Sequence, residues 1–176
     1  MDAQAILHAI AVLVAAIAAT SDWRRGEIPN WLTLPPLLIA PLAYALIWGR
    51  GAALLSIGGL FVCGLVPFLL WRRHAMGGGD VKLFASIGAI SGVLMGVEMQ
   101  LVAFVVASVY ALGRLAWEGN LLRTLGNSFF LALNPFLPRR HRREVSPSLM
   151  STLRMGGPIL VGTVLSAIAA HPELFL

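Results

Sequence analysis

Charged residues are scarce in this sequence, and cysteine is almost absent. Only 12% of the 176 residues are charged and 58% are hydrophobic, with a mean hydropathy of +0.82. A soluble domain carries about a quarter charged residues, so the composition argues against a soluble domain and indicates a polytopic membrane protein. The single cysteine, Cys63, excludes an internal disulfide and a cysteine-based zinc cluster. His8 and His74 have no partners at metal-ligand spacing, so we expect no metal site and no cofactor.

Long apolar runs predict the fold class, an all-α membrane protein with six transmembrane helices. A spanning helix needs about 20 apolar residues, with a range of about 17 to 25. The runs cover residues 3–21, 31–48, 52–71, 81–97, 99–117 and 156–170, of which the last is the shortest. The first run resembles a cleaved signal peptide at Ala16-Ile17-Ala18, but Asp2 stands where such a peptide has positive charge. We interpret it as a retained first helix.

The distribution of positive charge predicts the orientation of these helices. Six spans with the N-terminus outside place every cationic cluster in the cytoplasm, as membrane insertion favours. The loops predicted on the other side contain only Arg50. Cytoplasmic loops therefore account for the net charge of +5, and no nucleic-acid partner is expected. The clusters are Arg24 and Arg25; Arg72, Arg73 and Lys82; and Arg123, Arg139, Arg140, Arg142, Arg143 and Arg154.

The segment 118–155 is expected to be a cytoplasmic basic loop with an amphipathic helix lying in the membrane interface. Apolar residues from Leu121 to Leu133 recur at helical spacing and are opposed by Arg123 and Asn127. A seventh span is the alternative, and Arg123, Asn127 and Pro135 count against it. The arginines at 139–143 either touch anionic lipid headgroups or bind a substrate.

Three glycines, Gly88, Gly92 and Gly96, repeat every fourth residue along the predicted helix 81–97. This spacing of small residues permits close helix packing. We interpret the repeat as a packing stripe within the bundle.

The most informative stretch is Gly77-Gly78-Gly79-Asp80, which precedes a predicted span. Glycines without a Cβ allow sharp bends and the close approach of another chain. A carboxylate at the start of a membrane helix is costly, so its default interpretation is functional. Lys82 follows and has two interpretations. It either contacts the substrate or tunes Asp80, or it is a cation that extends to the interface.

A second aspartate, Asp22, ends the first predicted span on the same predicted side as Asp80. Two carboxylates that share a site do not both ionise cheaply. One can then deprotonate a water while the other, protonated, hydrogen-bonds a peptide carbonyl. We therefore predict that the two approach within reach of one water.

These motifs resemble the prepilin peptidases, which are membrane aspartyl proteases with a GxGD signature. Gly77, Gly79 and Asp80 fall in the defining places of that signature. Asp22, with Arg24-Arg25 and Ile28-Pro29-Asn30, resembles the first motif of the family. Pro158 falls where the family usually has a proline near an aromatic residue, but Gly156-Gly157 precede it here. The zinc-binding CxxC motifs of long bifunctional members are missing, so the resemblance is to the short peptidase-only branch that serves tight-adherence (Flp-type) pili.

The resemblance implies a single peptidase domain over residues 1–176, with Asp22 and Asp80 catalytic and with Gly77, Gly78, Gly79 and Lys82 binding substrate. It implies cleavage of the leader from prepilin or pseudopilin precursors, without N-methylation, at the cytoplasmic face of a bacterial inner membrane. The expected partners are that precursor and membrane lipids. Two other classes remain open, an ion- or proton-coupled transporter and a noncatalytic pilus or secretion assembly subunit.

Overall fold

The computed structural model describes residues 3–117 and 154–172, and these form five α-helices with no strand. Their bounds are α1 Ala3–Arg25, α2 Asn30–Trp48, α3 Ala53–Arg72, α4 Gly78–Trp117 and α5 Gly156–Ala170. The all-helical prediction is confirmed for these ranges. The interfacial helix predicted within 118–155 and the arginines at 139–143 lie outside the described residues.

Packing divides the chain into two compact units. Met1–Ala107 and Thr152–Leu176 form one, and Ser108–Ser151 form the other. Of the second unit only 108–117, the end of α4, is described. The single-domain organisation stays a prediction.

Helix length and surface character in the described residues agree with a multi-pass membrane protein. The helices α1 to α4 are long and apolar enough to cross a membrane, whereas α5 is shorter. Large apolar side chains point outward, including Leu38, Leu46 and Leu94, which are 78%, 79% and 88% exposed. Apolar surface on this scale is unusual for a soluble monomer and suits contact with lipid. The number of six spans and the external N-terminus stay predictions.

The helix α4 consists of two helices that fold back on each other at Gly92. The backbone of Gly92 is non-helical, with φ 77° and ψ −178°, a region open almost only to glycine. The rings of Phe84 and Phe104 lie 5.4 Å apart, whereas on one straight helix these residues would be separated by about 30 Å. Two helices therefore occupy this part of the chain, as the runs 81–97 and 99–117 predict. The boundary between them lies at Gly92, so the predicted boundary after Val97 is wrong.

The break leaves the carbonyls at the end of the first half of α4 without helical partners. Two side chains supply hydrogen bonds. The Tyr44 hydroxyl donates to the Ile90 carbonyl at 3.1 Å, and the Ser56 hydroxyl donates to the Ala89 carbonyl at 2.6 Å. Irregular backbone inside an apolar bundle is tolerated where protein groups satisfy it. The first half, residues 78–91, is about 21 Å long, shorter than the hydrocarbon core of about 30 Å.

The repeated glycines pack across this turn and not along one helix as predicted. Gly88 lies against the Gly59 carbonyl of α3, and a Cβ on Gly96 would lie 2.9 Å from the Gly88 Cα. The buried Cys63 side chain also touches this cluster. The glycines do permit close packing within the bundle, but Gly92 serves as the turn and the other two face each other across it.

The first and last described helices pack along each other. Ala11, Ala15 and Ala18 on α1 are fully buried, and such small residues allow helices to approach closely. At one end of this pair the His8 Nδ1 and His171 Nε2 atoms share a hydrogen bond of 3.0 Å. The sequence offered no local partner for His8, and the fold supplies one from the other end of the chain.

We expect Gly92→Ala to lower the free energy of unfolding by about 1–3 kcal/mol, because alanine is strained at this φ and ψ. The added Cβ would also lie 3.3 Å from the Tyr44 hydroxyl oxygen. Gly113→Ala on the same helix is the matched control, since a Cβ there meets nothing within 4 Å. Thermal unfolding of both variants in detergent checks this. Equal melting temperatures for the two would contradict the glycine turn.

Candidate active site

Every residue predicted for the site lines a single cavity of about 390 Å³. The cavity is formed by the end of α1, the connection to α2 and the start of α4. Its lining contains Asp22, Gly77, Gly78, Gly79, Asp80 and Lys82, with Gly26, Glu27, Ile28 and Asn30 beside them. The fold therefore brings the two motifs together from separate parts of the sequence.

Asp22 is held at the end of α1 by the first residue of α5. The side chain is 7% exposed, and its Oδ2 accepts a hydrogen bond from the Gly156 N–H at 3.0 Å. Unpaired N–H groups and the helix dipole at a helix N-terminus both favour a negative charge. The contact therefore fixes the orientation of the carboxylate.

Gly156 was not among the predicted site residues, although it lies against Asp22. A Cβ at this position would lie 2.9 Å from the Asp22 Cβ and 3.0 Å from the Ala19 Cα, so only glycine allows this approach. The available signal was Gly156-Gly157-Pro158 at the start of an apolar run. In the sequence these glycines depart from the pattern of the resembled family, whereas in the structure Gly156 lies directly beside Asp22.

A guanidinium from the same segment also reaches the end of α1. Arg154 Nη1 donates to the Trp23 carbonyl at 2.8 Å. A cation at a helix C-terminus interacts favourably with the dipole and with unpaired carbonyls. The approach to α5 thus holds α1 on both sides of Asp22.

Asp80 lies in the first turn of α4 and reaches back to the start of its own helix. Its side chain is 9% exposed, and its carboxylate accepts a hydrogen bond from the Gly77 N–H. This is the contact that the third residue of a capped helix makes with the N-cap backbone. The carboxylate is therefore fixed by local sequence, whereas Asp22 depends on a distant segment.

The three glycines before Asp80 have different surroundings. A Cβ on Gly79 would lie 3.1 Å from the Ile28 Cβ, and one on Gly77 would lie 3.0 Å from the Asp80 Oδ2. A Cβ on Gly78 would meet only the Trp71 indole, at an ordinary 3.4 Å. A side chain at Gly77 or Gly79 would therefore be crowded, whereas Gly78 has the most room.

The two carboxylates act on each other electrostatically across the cavity. Both are buried, and burial raises the cost of holding two negative charges together. Repulsion between two buried carboxylates disfavours the state in which both are ionised. The prediction that one water reaches both stays a prediction.

Lys82 is held at the rim of the cavity by α2. Its Nζ donates to the Asn30 Oδ1 at 2.8 Å, and Asn30 is the first residue of α2. The Ser86 hydroxyl, one turn further on, donates to the Thr33 carbonyl at 2.7 Å. These contacts fix the start of α4 against α2. Substrate contact by Lys82 stays a prediction.

Among the described residues, no group of three or more His, Cys, Asp or Glu side chains is arranged to hold a metal ion. The described groups that can supply acid–base chemistry inside the cavity are the two buried carboxylates of Asp22 and Asp80. Such a pair can activate a water and polarise a carbonyl.

Comparison with known proteins connects this arrangement to a family. The type IV leader peptidase family matches residues 9–112. Prepilin peptidase EppA of Methanothermobacter thermautotrophicus is 38% identical over 88 residues, which cover 46% of this chain and 22% of that relative. The chain therefore spans less than a quarter of the length of the curated relative. No solved structure matches.

We expect Gly156→Ala to cost about 1–3 kcal/mol of stability, because the added methyl overpacks the contact between α1 and α5. Gly157→Ala is the adjacent control, since a Cβ there meets nothing within 4 Å. Melting temperatures of the two purified variants make the comparison. A Gly156→Ala protein as stable as the control would show that α5 does not need this close approach.

Proposed function

The chain belongs to the type IV leader peptidase family, and from this premise we propose that it is a membrane-embedded aspartic endopeptidase. In this proposal it removes the leader peptide from type IV prepilins of the Flp type at the cytoplasmic surface of the inner membrane. The observation that carries the proposal is the cavity shared by two buried aspartates, Asp22 and Asp80.

The proposed mechanism uses the two carboxylates as a base and an acid. The ionised member takes a proton from a water, and the resulting hydroxide attacks the scissile carbonyl. The protonated member hydrogen-bonds the carbonyl oxygen and then supplies a proton to the leaving amine. The Gly156 N–H on Asp22 and the Gly77 N–H on Asp80 keep both groups oriented. Activity then requires one proton on the pair, so it should fall both when the pair is fully protonated and when it is fully ionised.

Substrate capture is proposed to depend on backbone pairing and on lipid partitioning. By family resemblance a prepilin carries a short basic leader followed by a hydrophobic helix. The cleavage junction must be extended to expose its carbonyl, and it can lie against the open backbone near Gly78 in the manner of strand addition. Charge attraction is a poor guide, because the proposed cytoplasmic face is itself basic.

Asp22→Asn and Asp80→Asn are each expected to lower leader cleavage by about 100-fold or more, because each removes one member of the acid–base pair. The side-chain shape is kept, so melting temperatures should remain close to the unsubstituted protein. Cleavage of a purified prepilin in detergent, followed by mass spectrometry, is the measurement.

Glu27→Gln is the control for this pair, since Glu27 lines the same cavity with an exposed carboxylate. It should retain most of the cleavage activity. Substantial turnover by either asparagine variant would remove the dyad from the proposal.

Substitution of Gly78 should reduce cleavage in proportion to side-chain size, with Gly78→Val more severe than Gly78→Ala. The added atoms crowd the proposed substrate strand, while the protein interior has room for the first carbon. Turnover and melting temperature are measured together for both variants. Unchanged turnover in Gly78→Val would place the substrate strand elsewhere, as would a loss of activity that followed unfolding alone.

A further inference from the structure

A second cavity, a surface groove of about 370 Å³, lies on the outer side of α1, and neither Asp22 nor Asp80 lines it. Ile17, Thr20 and Arg24 line it from one face of α1, and Trp31 of α2 also contributes to its wall. Asp22 is buried within the bundle, whereas Arg24 and Trp31 are exposed. The groove therefore faces the surroundings of the bundle, and the proposed peptidase chemistry does not use it.

The chemistry of the groove changes in order along α1. Ala16 and Ile17 are apolar, Thr20 carries a hydroxyl, and Arg24 and Arg25 are cationic. The positions span about 12–14 Å of helix. The same order, from hydrocarbon to a neutral polar region to a charged headgroup, occurs across one leaflet of a bilayer at the end of a membrane helix.

The two arginines supply the charge that this groove can offer to an anion. In the described part of the chain, no hydrogen bond or ion pair occupies either guanidinium. The Thr20 hydroxyl donates to the Ala16 carbonyl at 2.8 Å, and the neighbouring Ser21 hydroxyl donates to the Glu27 carbonyl at 2.8 Å. Both hydroxyl hydrogens are therefore committed, so recognition of a phosphate depends on Arg24 and Arg25.

We propose that this groove binds one anionic phospholipid, with its phosphate at Arg24 and Arg25 and an acyl chain along Ile17. Charge complementarity selects an anionic headgroup, and the apolar continuation of the groove selects a lipid over a free phosphate. Trp31, 67% exposed at the side of the groove, is the type of residue that anchors helices at the level of lipid headgroups. The proposal concerns binding only and stands apart from the peptidase proposal.

Lipid retention by purified protein tests the site. The full chain is exchanged into detergent with equal amounts of phosphatidylglycerol and phosphatidylcholine, and the retained lipid is measured by native mass spectrometry. We expect preferential retention of phosphatidylglycerol. The double variant Arg24→Gln/Arg25→Gln should lower this retention by about tenfold or more, the effect expected of two cations beside an anionic surface.

The matched control is Arg72→Gln/Arg73→Gln, which removes an exposed arginine pair from the end of α3 that does not line the groove. It should retain phosphatidylglycerol as the unsubstituted protein does. Arg24→Lys/Arg25→Lys keeps both charges and should restore most of the retention. Circular dichroism melting of each variant establishes that the fold persists. An equal loss from both glutamine pairs would reduce the effect to general surface charge and overturn the site.

A position-specific readout uses Trp31. The contribution of Trp31 to the tryptophan fluorescence is the difference between the unsubstituted protein and Trp31→Phe. Phosphatidylglycerol brominated on its acyl chains should quench this contribution, and brominated phosphatidylcholine should quench it much less. Equal quenching by the two lipids would contradict a specific site. Displacement of phosphatidylglycerol by inorganic phosphate would assign the groove to a free anion, and displacement by a prepilin peptide would assign it to the substrate. Either result overturns the lipid proposal while leaving the cleavage assay unaffected.

Discussion

The hydrogen bond between the Gly156 N–H and the Asp22 carboxylate is the interaction on which the candidate site depends. A buried carboxylate is costly unless a donor satisfies it, and the donor here is a buried backbone N–H at the start of a helix. Because α5 must approach closely enough to donate, it can carry no side chain at position 156. Burial of one acid therefore determines how the first and last described helices pack. Asp80 solves the same problem locally, with the Gly77 N–H of its own helix.

The turn at Gly92 has a second effect on the site, through the length of the helix that carries Asp80. Residues 78–91 form a half-length helix, with Asp80 at its first turn and the non-helical glycine at its end. Its last carbonyls are held by Tyr44 of α2 and Ser56 of α3, so both ends of this short helix are fixed by the surrounding bundle. Lys82 and Ser86 add contacts to α2 along its length. A short helix attached at both ends is a stiff support for the candidate catalytic carboxylate of Asp80.

The predicted site residues, which line one cavity in the structure, can be proposed from the sequence because their signals are local. Glycines before an aspartate, and an aspartate at the end of an apolar run, can be identified without knowledge of tertiary contacts. The turn at Gly92 is harder to predict, because apolar residues continue on both sides and glycine is also common within membrane helices. The contact from Gly156 to Asp22 joins residues 134 positions apart. The hydrogen bond between His8 and His171 likewise joins residues far apart in sequence, 163 positions from each other. In each of these cases tertiary packing selects the partner, and neither residue type nor spacing specifies it.

The distance in sequence between Asp22 and its donor also has a consequence during protein synthesis. Residues 134 positions apart emerge from the ribosome roughly 7–27 s apart, at about 5–20 residues per second. During that interval α1 is already made, but the backbone group that holds its carboxylate does not yet exist. The candidate site therefore stays incomplete throughout this interval. The Gly156 N–H reaches Asp22 only after the final described helix has docked, so a stalled or truncated product lacks the group that orients Asp22.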